Sequence, residues 1–374
     1  MDTNEIKYLI ALPLLPEVGQ KRAREMYEFF GSAENVFLAD EQQLAQIPNI
    51  GKATVSSIIN GKKQALQRAE KELIFVGRHQ INCYCYFDDN YPYRLRECED
   101  APLLIYSKGN VRFNSGKMVA VVGTRMPTDA GKERCQKLIR ELAAAAGDIT
   151  VISGLAYGID VTAHKAAIEA GIPTIIIPAH GLDRIYPTIH RQVAINALEK
   201  GGILTEYMSE TEPEKQNFVA RNRIVAGLSD CVVVVESRKK GGSLITAEMA
   251  WNYNRDIFTF PGRPEDINSA GCNNLIKRQK ASLIECADDI IDAMRWRKED
   301  NTSKALQTEL FVELNETENK LMELLADKDN GVHFNDLLAD MKLSFSNISA
   351  LLLDMEMRGL IKSMPGGRYR AMIR

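Results

Sequence analysis

The sequence lacks the features that mark membrane, secreted or metal-binding proteins. No apolar run among its 374 residues approaches the ~18 residues that a membrane-spanning helix requires. The first residues, MDTNEIKYLI, show neither the basic and long apolar stretches nor the cleavage site of a signal peptide. Five histidines and seven cysteines are scattered without the spacing of a metal site, so we expect reduced thiols and no metal. These absences predict a cytoplasmic protein that has no membrane contact.

The sequence also lacks a strong charge of one sign. With 47 basic and 50 acidic side chains its net charge is −3, and residues 1–72, 73–298 and 299–374 carry −1, +2 and −4. A nucleic acid would therefore have to be bound by a local group of cations and not by a general positive field. A hydrophobic content of 45% and the length are typical of a folded protein with two or three domains.

Short helices are predicted over residues 1–72, and two similar segments there resemble the helix-hairpin-helix motif. Leu15–Ala23 and Ile47–Val55 each place a glycine in a tight turn before a helix with a cation in its first turn. In that motif the hairpin amides and the helix N-terminus face a nucleic-acid phosphate. A small helical domain that only packs is the alternative interpretation.

Residues 73–298 repeat a pattern of strand, turn and helix. The predicted strands are continuous runs rich in valine and isoleucine, as in a parallel sheet that is buried on both faces. The alternation predicts a doubly wound α/β fold with ligands at the carboxyl ends of its strands. The predicted strands are Met118–Val122, Thr150–Ile152, Thr174–Ile177, Ile203–Thr205, Cys231–Val235 and Ile257–Phe260.

A winged helix is predicted over residues 315–374, after a polar linker over residues 299–314. Three helices are followed by a short ribbon with a Pro365-Gly366-Gly367 turn. The expected recognition helix, Ser346–Gly359, contains two acidic side chains and a single arginine. Because a helix that enters a major groove normally brings cations, a protein contact or a regulatory role is favoured over duplex binding.

Several turns of the α/β domain carry glycine or arginine in a pattern suited to phosphate. Glycines at strand-to-helix turns let amide hydrogens converge on an anion, and the helix dipole adds to the attraction. Arginine supplies a planar fork that matches phosphate oxygens. The pattern predicts a phosphate-binding edge of the sheet. The segments are Gly123–Arg125, Ser153–Asp160, Gly181–Pro187, Phe218–Arg223 and Gly241–Thr246.

The usual nucleotide-binding motifs are absent from these turns. A dinucleotide motif needs a second glycine where the sequence has Arg125. Seven residues separate Gly123 from Gly131 where a P-loop has four, and Glu133 replaces the hydroxyl residue that would bind magnesium. NAD binding and ATP hydrolysis are therefore disfavoured, and no cofactor is expected.

Asp160 and His164 stand four residues apart at the start of a predicted helix and so share one face. We expect Asp160 to cap amides of the turn and His164 to bond to Asp160 or to phosphate. Tyr157, Tyr186 and Phe218 adjoin the turns, where their rings either stack on bases or pack in the core.

Taken in order, these motifs resemble the DNA-processing protein DprA/Smf family. The resemblance covers about residues 73–290 and includes Gly-Thr-Arg, Ser-Gly-x-Ala-x-Gly-Ile-Asp, Phe-x-x-Arg-Asn-Arg-Ile and Gly-Ser-Leu-Ile-Thr-Ala. It implies an extended Rossmann-like domain between a SAM-like helical domain and a winged helix. It also implies a cytosolic protein that is not an enzyme and usually forms a homodimer. Such a protein binds and protects single-stranded DNA during natural transformation and helps to load RecA onto that DNA.

The resemblance also implies which residues bind the strand, with Arg125 gripping a backbone phosphate. Many relatives carry a lysine directly after Tyr-Pro, where this chain has Thr188; either His190 and Arg191 compensate or affinity at that position is weaker. The expected DNA-binding residues are Gly123, Thr124, Arg125, Ser153, Gly154, Gly158, Asp160, His164, Tyr186, Arg191, Phe218, Arg221, Asn222, Arg223, Gly242, Ser243 and Thr246.

Two other functions compete with this interpretation. Gly241, Gly242 and Glu248 fit the spacing of a nucleotide phosphoribohydrolase motif, with Arg221 as a partner, although apolar residues replace its further glycine and threonine. A small nucleotide held in the same pocket as a signal is the third possibility. Free base released from nucleoside monophosphates would favour the enzyme, and displacement of DNA by a mononucleotide would favour the sensor.

Overall fold

The computed structural model of the chain forms two compact units, Met1–Lys298 and Glu299–Arg374. It describes residues 3–114, 116–297, 314–325, 331–341, 343–364 and 367–372. The predicted linker lies outside these residues except for its last position, as does the Pro365-Gly366 part of the predicted turn. No helix in the described parts of the chain combines the length and apolar character needed to cross a membrane.

Five helices form the N-terminal part of the first unit around two similar hairpins. Helices α2 and α5 begin directly after Gly19 and Gly51, and the residue after each hairpin proline has a positive φ, Glu17 at 62° and Asn49 at 61°. The hydroxyl of Thr54 donates to Glu17 at 2.7 Å and joins the hairpins. The sequence repeat is therefore also a repeat of backbone geometry. The helices are α1 (Thr3–Ala11), α2 (Gln20–Phe30), α3 (Ala33–Leu38), α4 (Glu41–Leu44) and α5 (Lys52–Arg78).

A buried polar network joins α5 to the α/β part. Glu72 is 2% exposed and accepts hydrogen bonds from the amide of Ser209 at 2.9 Å and from its hydroxyl at 2.5 Å. Arg68 pairs with Glu72 at 3.0 Å and donates to the Ser209 carbonyl. Because α5 continues to Arg78, the predicted division between residues 72 and 73 lies inside a continuous helix. The helical and α/β parts are thus packed as one unit.

The α/β part contains a nine-stranded sheet in the order β1-β2-β6-β5-β4-β3-β7-β8-β9. Strands β3 to β9 pair in parallel, and β1 and β2 are antiparallel additions at one edge. All six predicted strands form within about a residue of their expected ends, and the doubly wound, mostly parallel fold is confirmed. The strands are β1 (Asn82–Cys85), β2 (Leu104–Gly109), β3 (Lys117–Val122), β4 (Ile149–Ser153), β5 (Thr174–Ile176), β6 (Gly202–Thr205), β7 (Cys231–Val234), β8 (Asp256–Thr259) and β9 (Ser282–Leu283).

Helices cover both faces of this sheet, and the strand order reverses between β3 and β7. After β3 the chain builds β4, β5 and β6 on one side and then returns to β7 on the other, which leaves a crevice at the carboxyl ends of β3 and β7. The helices are α6 (Tyr93–Arg96), α7 (Asp129–Ala145), α8 (Ile159–Glu169), α9 (Arg191–Lys200), α10 (Lys215–Gly227), α11 (Gly242–Asn252), α12 (Ala270–Lys277) and α13 (Ala287–Ala293).

The described residues of the second unit form three helices and an antiparallel sheet in the order β10-β12-β11, as in a winged helix. Its expected recognition helix ends at Met357, and the guanidinium of the C-cap residue Arg358 lies 2.5 Å from Glu318 and 3.0 Å from Asp354. The single arginine is thus already paired with carboxylates of its own domain. The elements are α14 (Glu316–Leu325), β10 (Val332–His333), α15 (Phe334–Met341), α16 (Phe345–Met357), β11 (Ile361–Met364) and β12 (Arg368–Ala371).

Candidate nucleic-acid interface

A cleft of about 310 Å³ opens where the strand order reverses. The loops after β3, β4 and β7 and one side of α10 line it, at the edge where a doubly wound sheet binds its ligands. The structure brings eleven of the seventeen predicted residues together there. They are Gly123, Thr124, Arg125, Gly154, Asp160, Phe218, Arg221, Asn222, Gly242, Ser243 and Thr246.

Arg125 lines this cleft and is exposed. Its guanidinium lies 5.3 Å from the centroid of the Phe218 ring, and within the described residues it makes no hydrogen bond or ion pair. The Tyr186 ring lies 5.8 Å from Phe218 and is 46% exposed. A free cation and two partly exposed rings therefore form one continuous surface, which suits a phosphate and the flat face of a base.

Arg221 also lines the cleft, but its side chain is 3% exposed. It donates to the backbone carbonyls of Gly154, at 2.9 Å, and Ile177. Burial lowers the pKa of Arg221 to about 10, an effect that the nearby Asp160 opposes. The guanidinium thus ties the loop after β4 to α10 and to the end of β5 through Nη1, while its buried Nε has no partner among the described residues.

Arg223 does not line the cleft. Its guanidinium pairs with Glu206 at 2.5 Å and donates to the carbonyl of Asp100 at 2.6 Å. Arg223 is two positions after Arg221 in α10, a spacing that places their side chains on different sides of the helix. Of the three arginines that the sequence singled out, the structure leaves Arg125 unpaired at the cleft.

Three helices begin around the cleft, and they differ in what faces their N-terminal amides. At α7 the buried carboxylate of Glu236 accepts the amide of Thr128 at 2.9 Å. At α8 no side chain of the described residues caps the helix, and the first amide, that of Ile159, donates to the backbone carbonyl of Thr124 at 3.2 Å. The buried carboxylate of Asp160 accepts a long hydrogen bond at 3.4 Å from the Ala156 amide in the turn before α8, as expected for a cap of that turn; burial raises the pKa of Asp160. At α11 no side chain in the described parts of the chain caps the helix, and the space around Gly242 is open. The α11 end is therefore the one that can receive an external anion.

Two cations beside the α11 end were missed by the sequence interpretation. Arg238 and Lys240 both line the cleft and are exposed. Arg238 donates to Asn268 at 2.9 Å, and Lys240 has no partner among the residues that the structure describes. The run Arg-Lys-Lys directly before Gly241 was the available signal, because a basic run next to a glycine turn brings charge to the amides of that turn.

Ser153 and Gly158 support the cleft from behind. The Ser153 hydroxyl donates to the carbonyl of Val121 at 2.7 Å and so joins β4 to β3. Gly158 has a φ of 81°, and a side chain there would meet the backbone of Thr124. The loops after β3 and β4 can pack this closely because position 158 is glycine.

His164 is fully buried below the cleft. Its Nδ1 lies 2.7 Å from the hydroxyl of Thr174, and that hydroxyl donates to the Val151 carbonyl at 2.9 Å. Since the hydroxyl has one proton, Nδ1 must carry the proton that it shares with Thr174. Burial lowers the pKa of His164 to about 3, so the ring is neutral. The structure places it against β4 and β5 and away from the cleft surface.

The segment around Tyr186 continues the exposed surface beyond the cleft. The backbone amide of Tyr186 donates to Nε2 of the buried His180 at 3.1 Å, which holds this turn in place. Arg191 is exposed at the start of α9 and outside the cleft lining. His190 is buried and bonds to the carbonyl of Leu155, so it is not available to replace the missing lysine at Thr188.

Glu248, the acid that an enzyme would need, is not among the cleft residues. Both of its carboxylate oxygens lie 2.6 Å from the ammonium group of Lys280. With Arg221 bound to backbone carbonyls as well, the acid and the arginine of the enzyme interpretation are both engaged elsewhere.

Comparison with known proteins identifies the family. The family model described as DNA recombination-mediator protein A matches residues 82–295, more than half of the chain. The chain belongs to this family. The DprA winged helix domain matches residues 310–367, and a SAM-like helix-hairpin-helix tandem matches residues 9–63. The predicted DprA/Smf family and both flanking domains are thereby confirmed, and the chain is a DNA recombination mediator and not an enzyme.

Relatives resemble the chain over most of their own length. Protein Smf from Synechocystis is 30% identical and covers 99% of this chain and 100% of its own length. DprA from Streptococcus pneumoniae is 38% identical over 67% of this chain and 92% of its own. The solved structure of that DprA aligns with a TM-score of 0.66 and 31% identity, covering 78% of this chain and 98% of its own. A structure of DprA from Helicobacter pylori, described as showing a unique single-stranded DNA binding mode, aligns with a TM-score of 0.52 and 31% identity over 57% of this chain and 95% of its own.

Proposed function

We propose that this recombination mediator binds single-stranded DNA in the cleft, with a backbone phosphate at the N-terminus of α11. The observation that carries the proposal is the open helix end itself. The amides of Gly242 and Ser243 have no acceptor within the described residues, and Arg125 and Lys240 stand beside them without a carboxylate partner. Amides, helix dipole and free cations together favour a phosphate at this position.

The aromatic surface beside the cations favours a single strand over a duplex. Phe218 and Tyr186 offer ring faces on which unpaired bases stack, worth about 1–3 kcal/mol per base. In a duplex those base faces are already covered by neighbouring base pairs. The single-stranded DNA binding mode described for the H. pylori relative supports the same choice.

The proposal is tested by fluorescence anisotropy with labelled single-stranded and duplex DNA over a series of salt concentrations. Arg125→Ala should weaken single-strand binding by about tenfold and lower the salt slope by about 0.7. Arg112→Ala is the matched control, because Arg112 is also exposed and unpaired in the described structure but lies between β2 and β3, at the amino ends of the parallel strands and away from the cleft. Equal affinity for duplex DNA, or equal behaviour of the two variants, would contradict the proposal.

We also propose that the chain acts as a homodimer in the cytoplasm, where it loads RecA onto DNA taken up by natural transformation. A cleft with few free cations in a chain of net charge −3 supports binding along a strand by several protomers. RecA filament growth on strands coated with single-strand-binding protein provides the assay. A protein that leaves the growth rate unchanged is not a RecA loader.

A small-nucleotide sensor is the second candidate, because a cleft of about 310 Å³ has the size of a small-ligand site. Competition of deoxymononucleotides with labelled single-stranded DNA separates the two functions. Displacement at low micromolar mononucleotide favours the sensor, whereas displacement only by oligonucleotides favours strand binding.

A further inference from the structure

Glu236 is a buried carboxylate directly behind the cleft, and no cation pairs with it in the parts of the chain that the structure describes. It follows the end of β7 and is 3% exposed. Its side chain accepts the amide of Thr128 at 2.9 Å and also the Thr128 hydroxyl. Its backbone carbonyl accepts the amide of Thr124 at 2.8 Å. Glu236 therefore holds both ends of the loop 124–128.

The start of α7 accounts for a buried negative charge at this position. The amide of Gly131 donates to the Thr128 hydroxyl at 3.0 Å, and that hydroxyl in turn donates to Glu236. The carboxylate thus receives, directly and through Thr128, the amides at the positive end of the helix dipole. A side chain at position 131 would meet the carboxylate group, so the close approach requires glycine there.

Arg125 stands in the middle of the loop held by Glu236. Its own side chain has no hydrogen-bond partner in the described structure, so the backbone of residues 124–128 is what fixes its place at the cleft. In a P-loop the corresponding helix end would hold a phosphate, whereas here the protein's own carboxylate occupies it. The helix end that could compete with α11 for phosphate is thereby filled.

We infer that Glu236, acting through Thr128, is a positioning residue that fixes the Arg125 loop for strand binding. This inference rests on the proposed function of the cleft. Thr128→Val keeps the backbone amide and the size of the side chain but removes the hydroxyl between Gly131 and Glu236. Two variants serve as controls. Thr128→Ser keeps that hydroxyl, and Glu133→Gln changes an exposed carboxylate of the same helix that has no partner in the described structure.

The test measures the dissociation constant for labelled single-stranded DNA in each variant, with and without Arg125→Ala. We expect Thr128→Val to weaken binding by about fivefold and Thr128→Ser and Glu133→Gln to stay within about twofold of the parent. In the Arg125→Ala background Thr128→Val should cause no further loss, because both changes remove the same contact. Glu236→Gln should behave like Thr128→Val. If Glu236→Gln does not fold, the comparison of Thr128→Val with Thr128→Ser still tests the inference.

Unchanged binding by Thr128→Val, or an equal loss with and without Arg125, would overturn the inference. Amide exchange of residues 124–128 provides a reading without DNA: it should be faster in Thr128→Val, and unchanged exchange overturns the positioning role alone. A parent protein that does not bind single-stranded DNA overturns the proposed function instead, so the two failures are distinguishable.

Discussion

Arg221 and Arg125 both line the cleft, but they should respond to substitution in opposite ways. Arg221→Ala removes a buried guanidinium with two hydrogen bonds to the carbonyls of Gly154 and Ile177. Charge-assisted hydrogen bonds contribute about 1.5–3 kcal/mol each, so the free energy of unfolding should fall by about 3–5 kcal/mol. Arg125→Ala removes an exposed side chain without a hydrogen bond and should change that free energy by less than about 0.5 kcal/mol.

Urea unfolding and DNA binding of both variants provide the measurement. At a slope of about 3 kcal/mol per molar urea, Arg221→Ala should lower the midpoint by about 1–2 M, and Arg125→Ala should leave it in place. The effects on the salt slope of DNA binding should be reversed, with a decrease of about 0.7 for Arg125→Ala alone. If Arg221→Ala kept the parent's stability and lowered the salt slope, Arg221 would contact phosphate, and our assignment of the two arginines would be wrong.

Three further changes test other parts of the structure. Gly242→Asp should stabilise the α11 end by about 0.5 kcal/mol but weaken DNA binding, because the new carboxylate would take the place of the phosphate. Gly242→Ala is the control for both the stability and the binding measurement. Glu72→Ala should lower the free energy of unfolding by about 3 kcal/mol because Ser209 loses its buried acceptor, whereas the exposed Glu70→Ala should stay within about 0.5 kcal/mol. The pKa of His164 is 6.5 in the unfolded chain and about 3 in the folded protein, so protonation below pH 6.5 favours the unfolded state. The free energy of unfolding should therefore be highest above pH 6.5 and about 2 kcal/mol lower at pH 5. A urea midpoint that does not change between pH 7 and pH 5 would contradict this.

The elements with a strong local signal could be predicted from the sequence. Runs such as Cys231–Val235 contain only residues that a sheet buried on both faces accepts, and the turns that follow need glycine for backbone reasons. These signals place the glycine turns at the carboxyl ends of parallel strands whatever the strand order is. The short antiparallel strands β1 and β2 carry no such signal, because their place at the sheet edge depends on partners far away in the chain.

The amino-acid sequence by itself determined that glycine turns and arginines would meet at one edge of a doubly wound sheet, because parallel strands bring the turns that follow them to the same side. Which cations remain free there was decided by the tertiary structure alone. Arg223 is neutralised by Glu206 and Arg221 is held by two carbonyls, contacts between segments that are distant in sequence. The same holds for the helix ends. Glu236, which follows β7, reaches the start of α7 after the neighbouring strand β3, whereas no carboxylate of the described residues contacts the first amides of α11. A residue type shows what a side chain can bind, but whether it is still available depends on its neighbours in space.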